Sequence, residues 1–192
     1  MKKVVFSEGK HDVYLLELAH KKKDIGDNYD KYLTEEAKDD QTKRLRQHLA
    51  DDQFEVLYKS EEGYGNLIKK FRSHSLMFTS FSLYILIDLD GDSLSGFFDD
   101  LNRSLTEEYQ NKVEVVPGDN ISNQDMVISD AVLKIEGSDN RSLPVMAFYE
   151  SLEDVTTIQY SDDRSEKIRK IYRYMDNNPD ICDDIISTIY SQ

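Results

Sequence analysis

The sequence predicts an α/β protein with a mainly parallel central sheet flanked by helices, interrupted by a charged helical insertion and closed by C-terminal helices. Three observations carry this. Strand-like and helix-like hydrophobic patterns alternate over roughly the first 110 residues, as expected when helical crossovers join parallel strands. The run Leu83-Tyr84-Ile85-Leu86-Ile87 is continuously apolar, which a strand buried on both faces requires. Two apolar patterns at helical spacing follow near the C-terminus.

In chain order, Lys3-Val4-Val5-Phe6 reads as a short buried strand and Ser7-Glu8-Gly9-Lys10 as a turn. Val13, Leu15, Leu16, Leu18 and Ala19 then recur at helical spacing. Residues 24–53 hold nine acids against five bases and sparse apolar positions such as Leu33, Leu45 and Leu49, a pattern read as an exposed helical insertion. Phe54 to Tyr58 is a second strand, after which Gly63-Tyr64-Gly65-Asn66 turns into a helix bearing Leu67, Ile68 and Phe71, with Asn66 as its cap. Leu83–Ile87 ends abruptly in Asp88-Leu89-Asp90-Gly91-Asp92-Ser93, and Phe97, Phe98, Leu101 and Leu105 make the next helix amphipathic. Strands are expected at 113–116, 132–135 and 144–149, with loops at Gly118, Asn120 and Gly137. Ile168, Ile171, Tyr172 and Met175, then Ile181, Ile185, Ile186 and Ile189, mark the last two helices, the second opened by Asn178-Pro179. The division expected is an α/β domain over 1–155 and a helical extension over 156–192 packed on it.

Composition narrows the function classes. Of 192 residues, 38 are Asp or Glu and 24 are Lys or Arg, a net charge of −14. A protein that grips many phosphates usually carries a cationic face, so charge alone does not predict a broad nucleic-acid groove. The acidity fits a metal site, a basic protein partner or solubility in salt. At 39% hydrophobic, with 12 Tyr and 8 Phe, the chain can build a core. Its apolar runs are too short for a membrane span or an export signal, and a lone Cys182 makes neither an internal disulfide nor a thiolate cage. The expectation is a cytoplasmic protein with no membrane partner.

In a parallel sheet the loops leaving the strand carboxyl ends converge on one crevice, and acids of this chain fall there. Glu8 follows the first strand, and Asp12 lies four residues on, across the first helical turn. Asp88, Asp90 and Asp92 follow the third strand; in extended chain their period of two aims all three carboxylates one way. Clustered carboxylates repel and stay ionised together mainly when a cation neutralises them. Mg²⁺ or Mn²⁺ takes such oxygen ligands and leaves positions for water or phosphate. The pattern therefore points to a divalent metal acting on a phosphate ester.

The same residues resemble a known family. Val4-Val5-Phe6-Ser7-Glu8-Gly9-Lys10-His11-Asp12 is similar to the first motif of Toprim domains, and Ile85-Leu86-Ile87-Asp88-Leu89-Asp90 to their Asp-x-Asp motif, in the same order. Gly63-Tyr64-Gly65-Asn66 is similar to the glycine turn between those motifs in the Toprim domains of overcoming-lysogenization-defect (OLD) nucleases and stand-alone relatives. The resemblance spans roughly 3–155 and implies a Toprim-like Rossmannoid fold and nucleic acid, DNA or RNA, as substrate of a metal-dependent nuclease. It assigns Glu8 as general acid or base or as metal ligand, and Asp88 with Asp90 as the Mg²⁺ pair. It implies a further acid at Asp12 and another beyond the last core strand, where Glu150, Glu153 and Asp154 all qualify. Lys10 joins Glu8 as a catalytic candidate, and Asp92 joins the metal set. The long 24–53 segment departs from a minimal Toprim domain.

Plainer readings stand beside these. Asp12 can simply be a carboxylate favoured at a helix N-terminus, and Glu8 a turn residue. Lys10 and His11 can be solvated; His20, His48 and His74 lack ligand spacing. Lys167, Arg169, Lys170 and Arg173 read as a solvated basic face, with phosphate contact the sharper alternative. Asp88-Leu89-Asp90-Gly91-Asp92 also resembles the haloacid-dehalogenase phosphatase motif, with Asp88 as nucleophile. Glu8 discriminates, having no part in that chemistry. A calcium loop through Asp88, Asp90, Asp92 and Asp99 has Ser93 where glycine is needed. The non-enzymatic alternative is a silent Toprim-like module that binds another protein, which in an active version would supply the missing basic surface.

Overall fold

Alternate residues of the apolar strands pack against opposite helical layers, and that alternation organises the molecule. The computed structural model describes residues 2–34, 54–78 and 80–190. Its elements are β1 (Lys3–Ser7), α1 (Lys10–Lys22), β2 (Tyr29–Leu33), β3 (Val56–Ser60), α2 (Tyr64–Ser75), β4 (Ser82–Asp88), α3 (Leu94–Tyr109) and β5 (Val113–Val116). They continue with β6 (Asn120–Ser122), β7 (Met126–Ile135), β8 (Arg141–Phe148), α4 (Leu152–Thr156), α5 (Arg164–Asn177) and α6 (Pro179–Tyr190). The described strands form one eight-stranded sheet ordered β2-β3-β1-β4-β8-β7-β5, with β6 on β7. Pairings from β2 through β8 are parallel, and β7 then joins β8, β5 and β6 antiparallel. The predicted α/β class with a mostly parallel central sheet and flanking helices is the one observed.

Val4, Phe6, Ile85 and Ile87 face one core with Phe71 of α2 and Phe97 and Leu101 of α3. Val5, Tyr84 and Leu86 face the other, with Leu15 and Leu16 of α1, Ile171 and Met175 of α5, and Ile185 and Ile189 of α6. The period of two in the strands thus feeds both layers, and the central residues of β1 and β4 are apolar on both faces. The C-terminal helices complete the second layer beside α1.

Three expectations need correction. Within the 24–53 segment, residues 29–33 are a strand parallel to β3, not helix. Its charge belongs to an edge: Lys31 pairs with Glu17 at 2.7 Å and Tyr29 donates to the same carboxylate at 3.1 Å. Residues 35–53 of the predicted insertion lie outside the described residues. The helix after the glycine turn starts at Tyr64, so Gly63, not Asn66, caps it; Gly63 adopts φ +104°, which suits glycine. Asn66 Nδ2 instead donates to the Glu62 carbonyl. Asn120, expected in a loop, begins the short strand β6.

Candidate functional site

The chain leaves β1 toward β3 and β2 on one side, then crosses to β4 on the other, so the sheet's switch point lies between β1 and β4. Glu8 follows β1, and Asp88 ends β4. The Glu8 carboxylate accepts the Asp88 backbone N–H at 3.0 Å, spanning 80 residues of sequence. The Glu8 carbonyl accepts the Gly63 N–H at 2.7 Å, fixing the loop after β1. The Gly63 amide is thereby committed within the chain. Asp88 Oδ2 accepts the Leu152 N–H at 3.1 Å from the start of α4, while Asp88 Oδ1 is buried without a hydrogen bond.

Asp12 is 4% exposed and accepts the Gly9 N–H at 2.9 Å. It is therefore the carboxylate at the start of α1 that the plain reading describes, and it also stands within the electrostatic reach of Glu8 and Asp88. His11 is not solvated: its Nδ1 bonds Glu153, and its Nε2 is buried without a hydrogen bond. This separates the three late acids. Glu153 faces the site, Glu150 is exposed outside it, and Asp154 accepts the Ser151 hydroxyl at 2.7 Å on the capped start of α4. The His11–Glu153 pair escaped the sequence reading because 142 residues separate its members. The Ser151-x-x-Asp154 capping pattern was the available signal that a helix starts there and offers its amides to Asp88.

Two cavities meet at this edge. One of about 360 Å³ is bordered by Lys10, His11, Asp12, Gly63 and Glu153. The other, about 490 Å³, is bordered by Tyr64, Asp92, Phe97, Asp99, Asp100 and Arg103. Glu8, Asp88 and Asp90 line both. The expected extended run of three acids is not observed: β4 ends at Asp88, Asp90 and Gly91 take φ +48° and +86°, and Asp92 N–H closes a turn on the Leu89 carbonyl. Asp92 therefore lines only the larger cavity. Ser93 is spent on capping α3, its hydroxyl accepting the Gly96 N–H at 3.0 Å. Of the other histidines, His20 is bonded to Tyr58 and the Gly26 carbonyl, His74 is buried, and His48 lies outside the described residues.

Burial, with the nearby Asp90 and Glu153 charges, pushes the Glu8 carboxyl up to about 7, against the pull of the Asp88 N–H. Burial and the charges of Glu8, Glu153 and Asp90 likewise push Asp88 up to about 7. Burial first, then Asp88 and Glu8, raises Asp12 well above the carboxylate range. Glu153 moves down because His11 bonds it. Among the described residues, no three His, Cys, Asp or Glu side chains already stand in coordinating geometry. The Glu8, Asp88 and Asp90 carboxylates nevertheless suit a hard cation: they offer oxygen ligands, one buried Asp88 oxygen has no partner, and their mutual repulsion is one that a positive charge would relieve.

The four cations noted on the C-terminal helix do not form one free face. Arg169 pairs with Glu166 at 2.6 Å, and Lys170 with Asp162 at 2.7 Å. No helix among the described residues is long and apolar enough to cross a membrane. No protein-family model matches the chain, and no curated protein matches it. Among solved structures it is similar to a de novo designed protein of P-loop NTPase fold, determined by solution NMR, at 12% identity over 94% of this chain and 95% of that one, with a TM-score of 0.34.

Proposed function

We propose that this protein carries out Toprim-type, metal-dependent phosphodiester chemistry, most simply hydrolysis of nucleic acid with Mg²⁺ or Mn²⁺. The observation that carries the reading is the Glu8–Asp88 hydrogen bond at the sheet's switch point, beside a buried Asp88 oxygen that lacks a partner. Asp88 and Asp90 would hold the cation, with Glu8 adjoining and Glu153 and Asp12 behind. When bound, such a cation polarises a phosphoryl oxygen and acidifies water. Glu8, held near neutrality by its burial, can accept or return a proton at working pH. Lys10, on the cavity border, can face a phosphate oxygen. The His11–Glu153 bond holds that carboxylate on the cavity wall.

The haloacid-dehalogenase reading leaves Glu8 without a role, and its hydrogen bond to the Asp88 amide favours a shared site. Calorimetric titration of Mn²⁺ and Mg²⁺ into wild type, Glu8→Gln and Asp88→Asn, with cleavage assays on single- and double-stranded substrates, tests the proposal. Binding and cleavage are both lost in each variant, cleavage by about 100-fold or more, the scale of removing one catalytic acid–base group. Loss in Asp88→Asn alone would favour the phosphatase. A wild type that binds neither cation would leave an interaction module.

A further inference from the structure

The larger cavity has an aromatic residue on its border, held from two sides. Tyr64 opens α2 directly after Gly63, whose amide is bonded to the Glu8 carbonyl, so the start of α2 is tied to the turn that carries Glu8. The Tyr64 hydroxyl donates to one oxygen of Asp100 on α3 at 3.1 Å, and the other Asp100 oxygen pairs with Arg103 at 2.8 Å. Its ring meets Phe97 edge to face, centroids 6.1 Å apart and planes at 69°. Phe97 is 2% exposed whereas Tyr64 is half-buried, so of the two rings Tyr64 is the one a ligand can reach. Burial first, then Asp100, Glu8 and Asp92, raises the Tyr64 hydroxyl above its ordinary range, which sets this side chain among the charges of the site.

At about 490 Å³ the cavity falls in the range of small-ligand pockets, roughly 300–1,000 Å³. Its charge disfavours a phosphate. Among the described residues neither Asp92 nor Asp99 on its border forms an ion pair, and Arg103, the one cation there, is already paired. A neutral, planar group with N–H donors on its edge meets both conditions: it can stack on the tyrosine and give its hydrogens to carboxylates that only accept. A nucleobase is such a group. A phosphodiester held at Asp88 and Asp90, which border this same cavity, carries one a sugar's length from its phosphorus.

We infer that the larger cavity takes the nucleobase adjoining the phosphate held at Asp88 and Asp90, with Tyr64 as the platform on which it stacks. The inference rests on the metal-dependent reading of that site and deepens it by giving the substrate's base a place. Stacking draws on the face of a base rather than on its phosphate, so it is open to a chain of net charge −14.

The Tyr64–Asp100 bond also joins α2 to α3, and a tyrosine kept only for that contact would serve no ligand. Calorimetric titration of the Mn²⁺-loaded full chain with guanosine 5′-monophosphate (GMP) and with ribose 5-phosphate, which has the phosphate and sugar but no base, separates the two roles. Wild type binds GMP about tenfold or more tightly than ribose 5-phosphate, the scale of one base–aromatic stack. Y64L removes that preference, whereas Y64F, which keeps the ring and loses the bond to Asp100, retains it; both bind Mn²⁺ with the wild-type stoichiometry. A preference lost equally in Y64F and Y64L would overturn the inference and assign Tyr64 to the helix contact alone. A preference that survives in Y64L would overturn it by placing the base elsewhere. If Y64L fails to load Mn²⁺, the wild-type ratio and Y64F still decide. A wild type that binds no Mn²⁺ defeats the metal reading and this inference with it, whereas Mn²⁺ binding with equal affinities for GMP and ribose 5-phosphate defeats the base pocket alone.

Discussion

Asp88 carries two opposed duties: its Oδ2 is anchored to the Leu152 amide, while its Oδ1 is buried without a partner. Burial and neighbouring acids make its ionised form costly in the metal-free protein, and the sign of the consequence is definite. An acid whose folded pKa of about 7 exceeds its ordinary 3.8 binds more protons folded than unfolded between those values. Stability from this group is therefore complete below about pH 4 and is lost as pH rises through 7. His74 runs the other way, since burial pushes it down to about 4 and its contribution is lost as pH falls from 6.5 toward 4. The difference between Asp88→Asn and wild type isolates the Asp88 contribution. In metal-free buffer the Tm of Asp88→Asn minus that of wild type rises between pH 5 and 8, by about 2–4 °C for each kcal/mol of repulsion removed. A pH-independent difference would show that Asp88 is not strained by its neighbours. Glu8 and Asp88 were legible in the sequence because each directly follows a run of strand-forming residues. The facing of Glu153 was not, because it depends on a capped helix and on a histidine from the other end of the chain.

The C-terminal helices matter to the site through the layer they complete. α5 and α6 share a core with α1, and α1 starts at the Glu8-Gly9 turn, so their packing holds the loop that carries Glu8. Ile185 is fully buried in that layer. Ile185→Ala removes about 2–5 kcal/mol, a fall in Tm of roughly 7–14 °C at the middle of that range, by differential scanning calorimetry. Tyr160, wholly exposed, changes Tm little when cut to Ala, which distinguishes loss of core packing from a general sensitivity of this region. The two helices were legible because their apolar positions recur at helical spacing and Pro179 opens the second at its first position. The strand at 29–33 was hidden because an edge strand faces solvent and carries charge that mimics a surface helix. Continuous apolar strands, by contrast, cannot be hidden: β4 had no alternative to the centre of the sheet.

At the scale of the whole molecule, the charge of −14 has a diffuse part and a concentrated part. The diffuse part is surface acid, whose mutual repulsion weakens the compact state and is screened over about 10 Å at 0.1 M salt. The concentrated part is the carboxylate group between β1 and β4, where burial limits screening by mobile ions. These parts respond differently to cations. KCl from 0.02 to about 0.3 M raises Tm gradually and to the same extent in wild type and Asp88→Asn, because screening does not require a site. Mn²⁺ raises the Tm of wild type along a saturating curve set by its dissociation constant, about 2.7 kcal/mol at a hundredfold excess over that constant, and leaves Asp88→Asn on the KCl line. A Mn²⁺ response that never saturates, or that is equal in both proteins, would assign all the cation sensitivity to surface charge. The metal site would then be lost, and the acidity of the chain would be read as solubility alone.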